Sequence, residues 1–275
     1  MNIPFWKMHG ASNDFILVDD RARTFPAGDR NWIASLGQRR TGVGAEGLIL
    51  IQPSEHANFR MRFFNPDGSE VEMCGNGARC VARLAHELGA APQRMSIDTV
   101  AGRLEAEVSG DRVRLHMTTP ADWRLGRTLV VDGQRLNYSF VNSGVPHAVI
   151  EVPELAAVDV VRLGRAIRHH PDFAPAGTNA NFIAVTGPRA LSIRTYERGV
   201  EDETLACGTG IVAAALIAGR NGRVESPVAV RAASGDVLTV EFQLTDDGAH
   251  HVILEGPAMH VFQGELQYSG QAKNV

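Results

Sequence analysis

The sequence predicts an α+β fold of two pseudo-symmetric domains, each a curved, barrel-like mixed β-sheet around a central helix. Three observations predict it. The chain repeats itself at about half its length, both halves carry short alternating strands bounded by Gly and Asp turns, and each half has one long helix opened by a cysteine motif.

The repeat is anchored on EMCGNGARCVARLAHELG (Glu72 to Gly89) and ETLACGTGIVAAALIAG (Glu203 to Gly219), whose Cys74 and Cys207 lie 133 residues apart. GASNDFILV from Gly10 matches GVPHAVIEV from Gly144, and GAEGLILI from Gly44 matches TNANFIAV from Thr178, both at offset 134. MRFFN from Met61 pairs with IRTYE from Ile193 at 132, and AGRL from Ala101 with SGDV from Ser234 at 133. Short apolar strands resemble one another by chance, so the near-constant offset carries the argument. Further strands are expected at Arg103 to Val108 and Asp236 to Phe242, and further helices at Asn31 to Arg40 and Glu154 to His170. Pro, Gly and charged residues break the strand pattern at Thr119 to Gly133, which places the connection there. The domains are therefore drawn as 1–120, carrying Cys74, and 121–275, carrying Cys207, with the last strand able to return to the N-terminal half. The polar tail GQAKNV is expected to fray.

Composition narrows the function. A chain of 275 residues with 44% hydrophobic content builds a real core, and a net charge of −4 without a basic block argues against nucleic acid. The uncharged segment Leu205 to Gly219 is 15 residues long, short of the roughly 18 a membrane span needs, and reads as a buried helix. With no export signal at the N-terminus, the three cysteines are expected to be reduced thiols in the cytoplasm. Neither motif has a second Cys or His at ligand spacing, and no GxGxxG follows a strand, so no metal, nucleotide or pyridoxal cofactor is implied.

A helix N-terminus offers unpaired backbone N–H groups and partial positive charge, which suits an anion. Gly75 and Gly77, and Gly208 and Gly210, remove side chains that would keep a carboxylate away, and Asn76 or Thr209 adds a polar contact. The same field stabilises a thiolate against a free-thiol pKa of about 8.5. Cys80, further along the first helix, reads as an inert buried cysteine. Two such mouths closing face to face would bring two thiols to opposite sides of one carbon. One would remove the proton α to a carboxylate and the other would return a proton to the far face, which is stereoinversion. Nothing in the sequence makes the two cysteines unequal.

The chain resembles the diaminopimelate epimerase family, through KMHGASNDFILVD at Lys7, FFNPDGSEVEMCGNGARC at Phe63, SGVPHAVIEV at Ser143, GTNANFIAV at Gly177 and TYERGVEDETLACGTG at Thr195. The resemblance implies cofactor-independent interconversion of LL- and meso-diaminopimelate, in lysine and peptidoglycan-precursor synthesis, by a homodimer. It implies Cys74 and Cys207 as acid and base, with Gly75, Asn76, Gly208 and Thr209 on the α-carboxylate. Asn13, Asn65, Asn179, Glu197 and Arg198 fall on its substrate-binding positions, Arg198 suited to a distal carboxylate. His147 and Glu197 would modulate the thiol pKa values. Two departures stand out. Val145 replaces the Asn of a GNPH pattern, with Asn142 either its substitute or a turn residue, and Glu46 and Gly47 stand where relatives have other residues. The alternatives are a racemase of another amino acid with the same cysteine pair, a cysteine hydrolase or redox protein, and a non-catalytic amino-acid-binding module.

Overall fold

The computed structural model describes residues 1–71 and 74–270; Glu72, Met73 and Gln271 to Val275, the greater part of the tail expected to fray, lie outside the described residues. The chain begins β1 (Asn2–Gly10), β2 (Asn13–Asp19), α1 (Arg30–Gly37), β3 (Gly47–Gln52), β4 (Phe59–Phe64), β5 (Glu70–Val71), α2 (Gly75–Glu87), β6 (Arg94–Thr99), β7 (Gly102–Ser109) and β8 (Arg112–His116). It continues β9 (Ala121–Val131), β10 (Gln134–Asn142), β11 (Pro146–Glu151), α3 (Val160–Arg168), β12 (Asn179–Gly187), β13 (Ala190–Glu197), β14 (Asp202–Thr204), α4 (Gly208–Arg220), β15 (Val228–Arg231), β16 (Val237–Thr245), β17 (Gly248–Pro257) and β18 (Met259–Gln267). Two units result: Met1–Leu115 with the chain from Pro257 onward, and His116–Gly256.

In the first unit β1 runs antiparallel to both β2 and β18, β2 parallel to β3, and β3 antiparallel to β4. β4 is antiparallel to β5 and parallel to β6, which pairs antiparallel with β7. The second unit repeats this pairing for pairing. β10 lies antiparallel to β9 and β11, β11 parallel to β12, and β12 antiparallel to β13. β13 is antiparallel to β14 and parallel to β15, which pairs antiparallel with β16. Central strands flanked on both sides are apolar throughout, as in LILI of β3, while the outer hairpins alternate buried and exposed residues.

The registers correct the sequence alignment. Phe15 pairs with Gly47 as His147 pairs with Asn179, and Ile49 pairs with Phe63 as Asn181 pairs with Thr195. Phe63 in turn meets Val71 where Thr195 meets Thr204. The first two segments therefore align at offset 132, not 134. The slip enters at the first hairpin: His9 and Asp14 enclose four residues, whereas their counterparts Asn142 and Pro146 enclose three.

The two central helices form for the same reasons and are buried to different degrees. α4 is apolar on every face, with Gly210 to Gly219 all buried, and it packs against β10, β11, β12, β13, β15 and β16 of its own unit. α2 lies against β1, β2, β3 and β7, burying Ala78, Val81, Ala82, Leu84 and Ala85 and keeping His86 and Glu87 toward solvent.

Three expected elements differ. The helix expected at 31–40 is α1, which starts at Arg30 because the Asp29 carboxylate accepts from Trp32 N at 3.1 Å and stops where Gln38 turns extended. The helix expected at 154–170 breaks into a 3₁₀ turn, Leu155–Ala157, and α3. Val158 is extended, and Asp159 caps α3 by accepting from Arg162 N. The connection expected at 119–133 contains the eleven-residue strand β9, whose irregular register against β10 absorbs the positive φ of Asp122 and Gly126.

Gly47 has a steric explanation that the sequence did not supply. A Cβ there would lie 2.4 Å from the Phe63 ring and 2.7 Å from Phe64 O, a backbone atom that cannot yield. Gly47→Ala is expected to cost about 1–3 kcal/mol of unfolding free energy, measured by urea denaturation. Gly28→Ala, whose Cβ meets nothing within 4 Å, serves as the unchanged reference.

Candidate active site

Cys74 and Cys207 are the N-cap residues of α2 and α4, both in extended backbone, and neither side chain caps its helix. An N-cap sulfur stands at the positive end of the dipole, beside the first N–H groups of the helix. Cys74 is half-buried and Cys207 is 8% exposed. Cys80 is wholly enclosed, and burial pushes its thiol up to about 12, which fits the inert role read from the sequence.

The paired glycines divide their work, which corrects the reading that all of them clear a ligand seat. A Cβ on Gly75 would meet nothing within 4 Å, so that position is open. A Cβ on Gly77 would fall 2.7 Å from Ile49 Cδ1, and one on Gly210 would fall 2.6 Å from Asn181 Oδ1 and 3.3 Å from His147 Cε1. The second glycine of each motif lets the helix mouth rest on the sheet.

In the first unit, the two-residue turn Ala11-Ser12, both at positive φ, brings the β1–β2 hairpin back over α2. A Cβ on Gly10 would lie 2.9 Å from Asn76 O, so the hairpin touches the first helical turn, and Asn13 pairs directly with Gly10. Next to Asn13, Asp14 is held by Lys7 at 2.7 Å and Arg39 at 2.8 Å. Buried Asn13 Oδ1 has no hydrogen-bond partner among the described residues. An orphan acceptor of this kind costs about 1–3 kcal/mol, which a ligand N–H would recover. Asn76 is buried and accepts from Arg79 Nη2 at 2.9 Å, so its side chain braces the helix while its backbone N–H stays at the mouth. Asn65 follows β4 and closes the turn to β5 through its backbone, from Asn65 N to Ser69 O and from Gly68 N to Asn65 O.

The second unit builds a polar chain at the equivalent mouth. Cys207 Sγ lies 3.6 Å from Thr209 Oγ1, Thr209 Oγ1 2.9 Å from His147 Nε2, and His147 Nδ1 3.0 Å from Asn181 Nδ2. Asn181 also donates to Ala148 O and accepts from Thr195 Oγ1, and Ser143 Oγ donates to Thr209 O at 2.8 Å. The corresponding first-unit positions are Phe15, Ile49 and Phe63, with the Phe15 and Phe63 rings packed edge to face. The two cysteines, equal in the sequence reading, therefore stand over unlike floors. Asn181 and Thr195 were missed there; the available signal was a second asparagine two residues after Asn179, on the same strand face.

Asn179 spends its amide locally, donating to Pro146 O at 2.9 Å and accepting from Arg198 N at 2.7 Å, so it fixes the backbone from which Arg198 extends. Arg198 donates to Ala176 O, and Glu197 accepts from Thr204 Oγ1 at 2.9 Å. Asn142 Oδ1 accepts from Gly144 N, which settles Asn142 as a turn residue. Val145 falls, by register, on the repeat position of Asn13. Among the described residues no group of His, Cys, Asp and Glu is arranged to hold a metal.

Burial pushes His147 down to about 3, a shift reinforced by the charge of Arg198. The unfolded chain takes up this proton near pH 6.5 and the folded chain does not, so the stability present above that pH is lost as pH falls toward 3. The slope for one proton is about 1.4 kcal/mol per pH unit. Urea midpoints recorded from about pH 7 to pH 4 are expected to fall less steeply for His147→Gln than for the parent chain.

The chain matches the diaminopimelate epimerase family over residues 5–123 and 139–261. It is 42% identical over 274 residues to the diaminopimelate epimerase of Aquifex aeolicus, covering 95% of this chain and 97% of that one. It is 47% identical over 263 residues to that of Chlorobaculum tepidum, covering 94% and 99%. Among solved structures it superposes on a PhzF-family phenazine biosynthesis protein of Bacillus anthracis with a TM-score of 0.74 at 15% identity, covering 98% of this chain and 100% of that one. A hydroxyproline epimerase of Agrobacterium vitis, with bound trans-4-hydroxy-L-proline, gives 0.71 at 17%, covering 96% and 92%. Those two likenesses establish the shared two-domain α+β fold, and the sequence matches establish the lineage: the chain belongs to the diaminopimelate epimerase family.

Proposed function

We propose that this protein interconverts LL- and meso-diaminopimelate for lysine biosynthesis without a cofactor, using Cys74 and Cys207 as a proton-transfer pair at Cα. The observation that carries the reading is the duplicated helix mouth, a cysteine N-cap followed by glycine in each of two units with the same strand pairing. Family membership supplies the substrate.

The chemistry follows from the parts. In one direction a thiolate at one cysteine takes the Cα proton while the thiol of the other delivers its proton to the opposite face, leaving the two cysteines with exchanged protonation states. Negative charge developing on the α-carboxylate is met by backbone N–H groups at Gly75, Asn76, Gly208 and Thr209, which stabilise that charge more than they stabilise the ground state. Asn13 Oδ1, without a donor among the described residues, accepts from the substrate ammonium. Arg198 holds the distal carboxylate with its planar fork, Glu197 faces an ammonium group, and Asn65 supplies a further substrate contact. The protein works as a cytoplasmic homodimer, for which sedimentation equilibrium is expected to give twice the chain mass.

Val145 favours a second reading, a racemase of another amino acid with the same cysteine pair, because valine offers no side-chain hydrogen bond where Asn13 stands in the other unit. Incubating the reduced protein with LL-diaminopimelate in deuterium oxide separates the two. Deuterium at Cα, with meso product, supports the first; its absence there but presence in another amino acid transfers the assignment to the second. Cys74→Ser and Cys207→Ser are each expected to lower kcat by about 10²–10⁴-fold. Gly75→Ala, whose Cβ has open space in the fold, is expected to leave the unfolding midpoint in place and raise KM by about tenfold through intrusion on the carboxylate seat. An unchanged KM would remove Gly75 from that seat.

A further inference from the structure

The hydrogen bonds beneath the mouth of α4 have a fixed direction. Ala148 O can only accept, so the Asn181 amide atom 3.0 Å from it is the nitrogen, and the oxygen end takes the Thr195 hydroxyl at 3.0 Å. The remaining Nδ2 hydrogen faces His147 Nδ1 at 3.0 Å, which obliges Nδ1 to accept and leaves the imidazole proton on Nε2. The other tautomer would set two N–H donors against each other in a buried site. Nε2 then donates to Thr209 Oγ1 at 2.9 Å, and the proton of that hydroxyl is left for Cys207 Sγ, its neighbour at 3.6 Å. The histidine is enclosed, and the charge acting on it is that of Arg198, so both influences keep it neutral and the order of donors intact. Among the described residues nothing comparable lies under the first mouth, where Phe15, Ile49 and Phe63 occupy the positions of His147, Asn181 and Thr195.

We propose that Asn181 is a positioning residue for the reaction: by holding His147 in the Nε2–H tautomer it turns the Thr209 hydroxyl toward Cys207, whose anionic form accepts that bond more strongly than the thiol does. Asn181 touches no reacting atom and acts through two intermediaries. The catalytic meaning of the inference rests on the proposed role of Cys207, but the direction of the bonds does not.

Two measurements on the resting, reduced protein test it without substrate. Imidazole nitrogen NMR is expected to show His147 as a single neutral tautomer protonated on Nε2, and Asn181→Asp, which replaces the donor to Nδ1 with an acceptor, is expected to move or add a proton at Nδ1. The second readout is the pH midpoint of Cys207 alkylation by iodoacetamide, followed by peptide mass spectrometry. A midpoint compares each cysteine with itself, so differences in access cancel. Thr209→Val is expected to raise the Cys207 midpoint by about one pH unit, a tenfold slower reaction below it, with Cys74 unmoved and Thr209→Ser restoring the parent value. An Nδ1-protonated His147 in the parent, or a Cys207 midpoint indifferent to Thr209→Val, overturns the inference. If both measurements come out as expected while deuterium fails to enter any amino acid, the proposed function falls with the catalytic meaning of the inference, and the ordering of the Cys207 hydrogen bonds by Asn181 stands.

Discussion

Each central helix reaches its place because one residue in its first turn has no side chain. Gly77 and Gly210 come close to the strands below: a methyl group on Gly210 would run into Asn181 and press on His147, and one on Gly77 would have to displace the end of the Ile49 side chain. That contact sets the height of the helix mouth above the sheet, and with it the position of the N-cap cysteine three residues earlier. It also makes the strand residues under the mouth part of the sulfur's surroundings. Whatever chemistry a cysteine has at such a mouth is tuned from beneath, through a contact that glycine keeps close.

The two units use this arrangement differently. Under α2 the floor is apolar, and its contribution is the ordinary gain of packing Phe15, Ile49 and Phe63 out of water. Under α4 the floor is polar, and burying histidine, asparagine and threonine there is tolerable only because their hydrogen-bonding groups are matched in a closed set. A matched set has a direction as well as an energy. Exchanging any one member for a residue of similar size but different donor pattern would leave a buried group unpaired, so this floor is less tolerant than the apolar one.

Much of this was legible in the sequence. The repeat, the α+β class, and helices opening at Cys74 and Cys207 follow from motif spacing and apolar patterning, which are strong where segments are long. The registers were not legible. GASNDFILV and GVPHAVIEV align by eye on their glycines, whereas backbone pairing aligns Phe15 with His147, because one hairpin loop is a residue shorter. A shift of two leaves alternation intact, so periodicity cannot detect it. β9 was hidden by Gly126 and Asp122, which look like a break and act as bends within a strand. Asn181 was hidden among apolar neighbours, where a polar residue in a strand carries no mark of whether it binds a ligand, braces another side chain or faces water.

The corrected register also bears on how a near-symmetric fold handles a substrate that is not symmetric about its reacting carbon. With Asn13 aligned on Val145, Asn65 on Glu197 and Gly47 on Asn179, these positions near the two helix mouths differ, while the cysteine and its flanking glycines are shared. What is shared is what the proposed inversion requires of both faces, a thiol and N–H groups for a carboxylate. In the proposed reaction, what differs serves the substituents that must not exchange places when the proton does. Arg198, whose backbone is held by Asn179, has no charged counterpart, since Pro66 follows Asn65 at the equivalent strand end. In the proposed reaction this confines the recognition of a distal carboxylate to one unit, so that the side chain stays anchored while the α-hydrogen changes face.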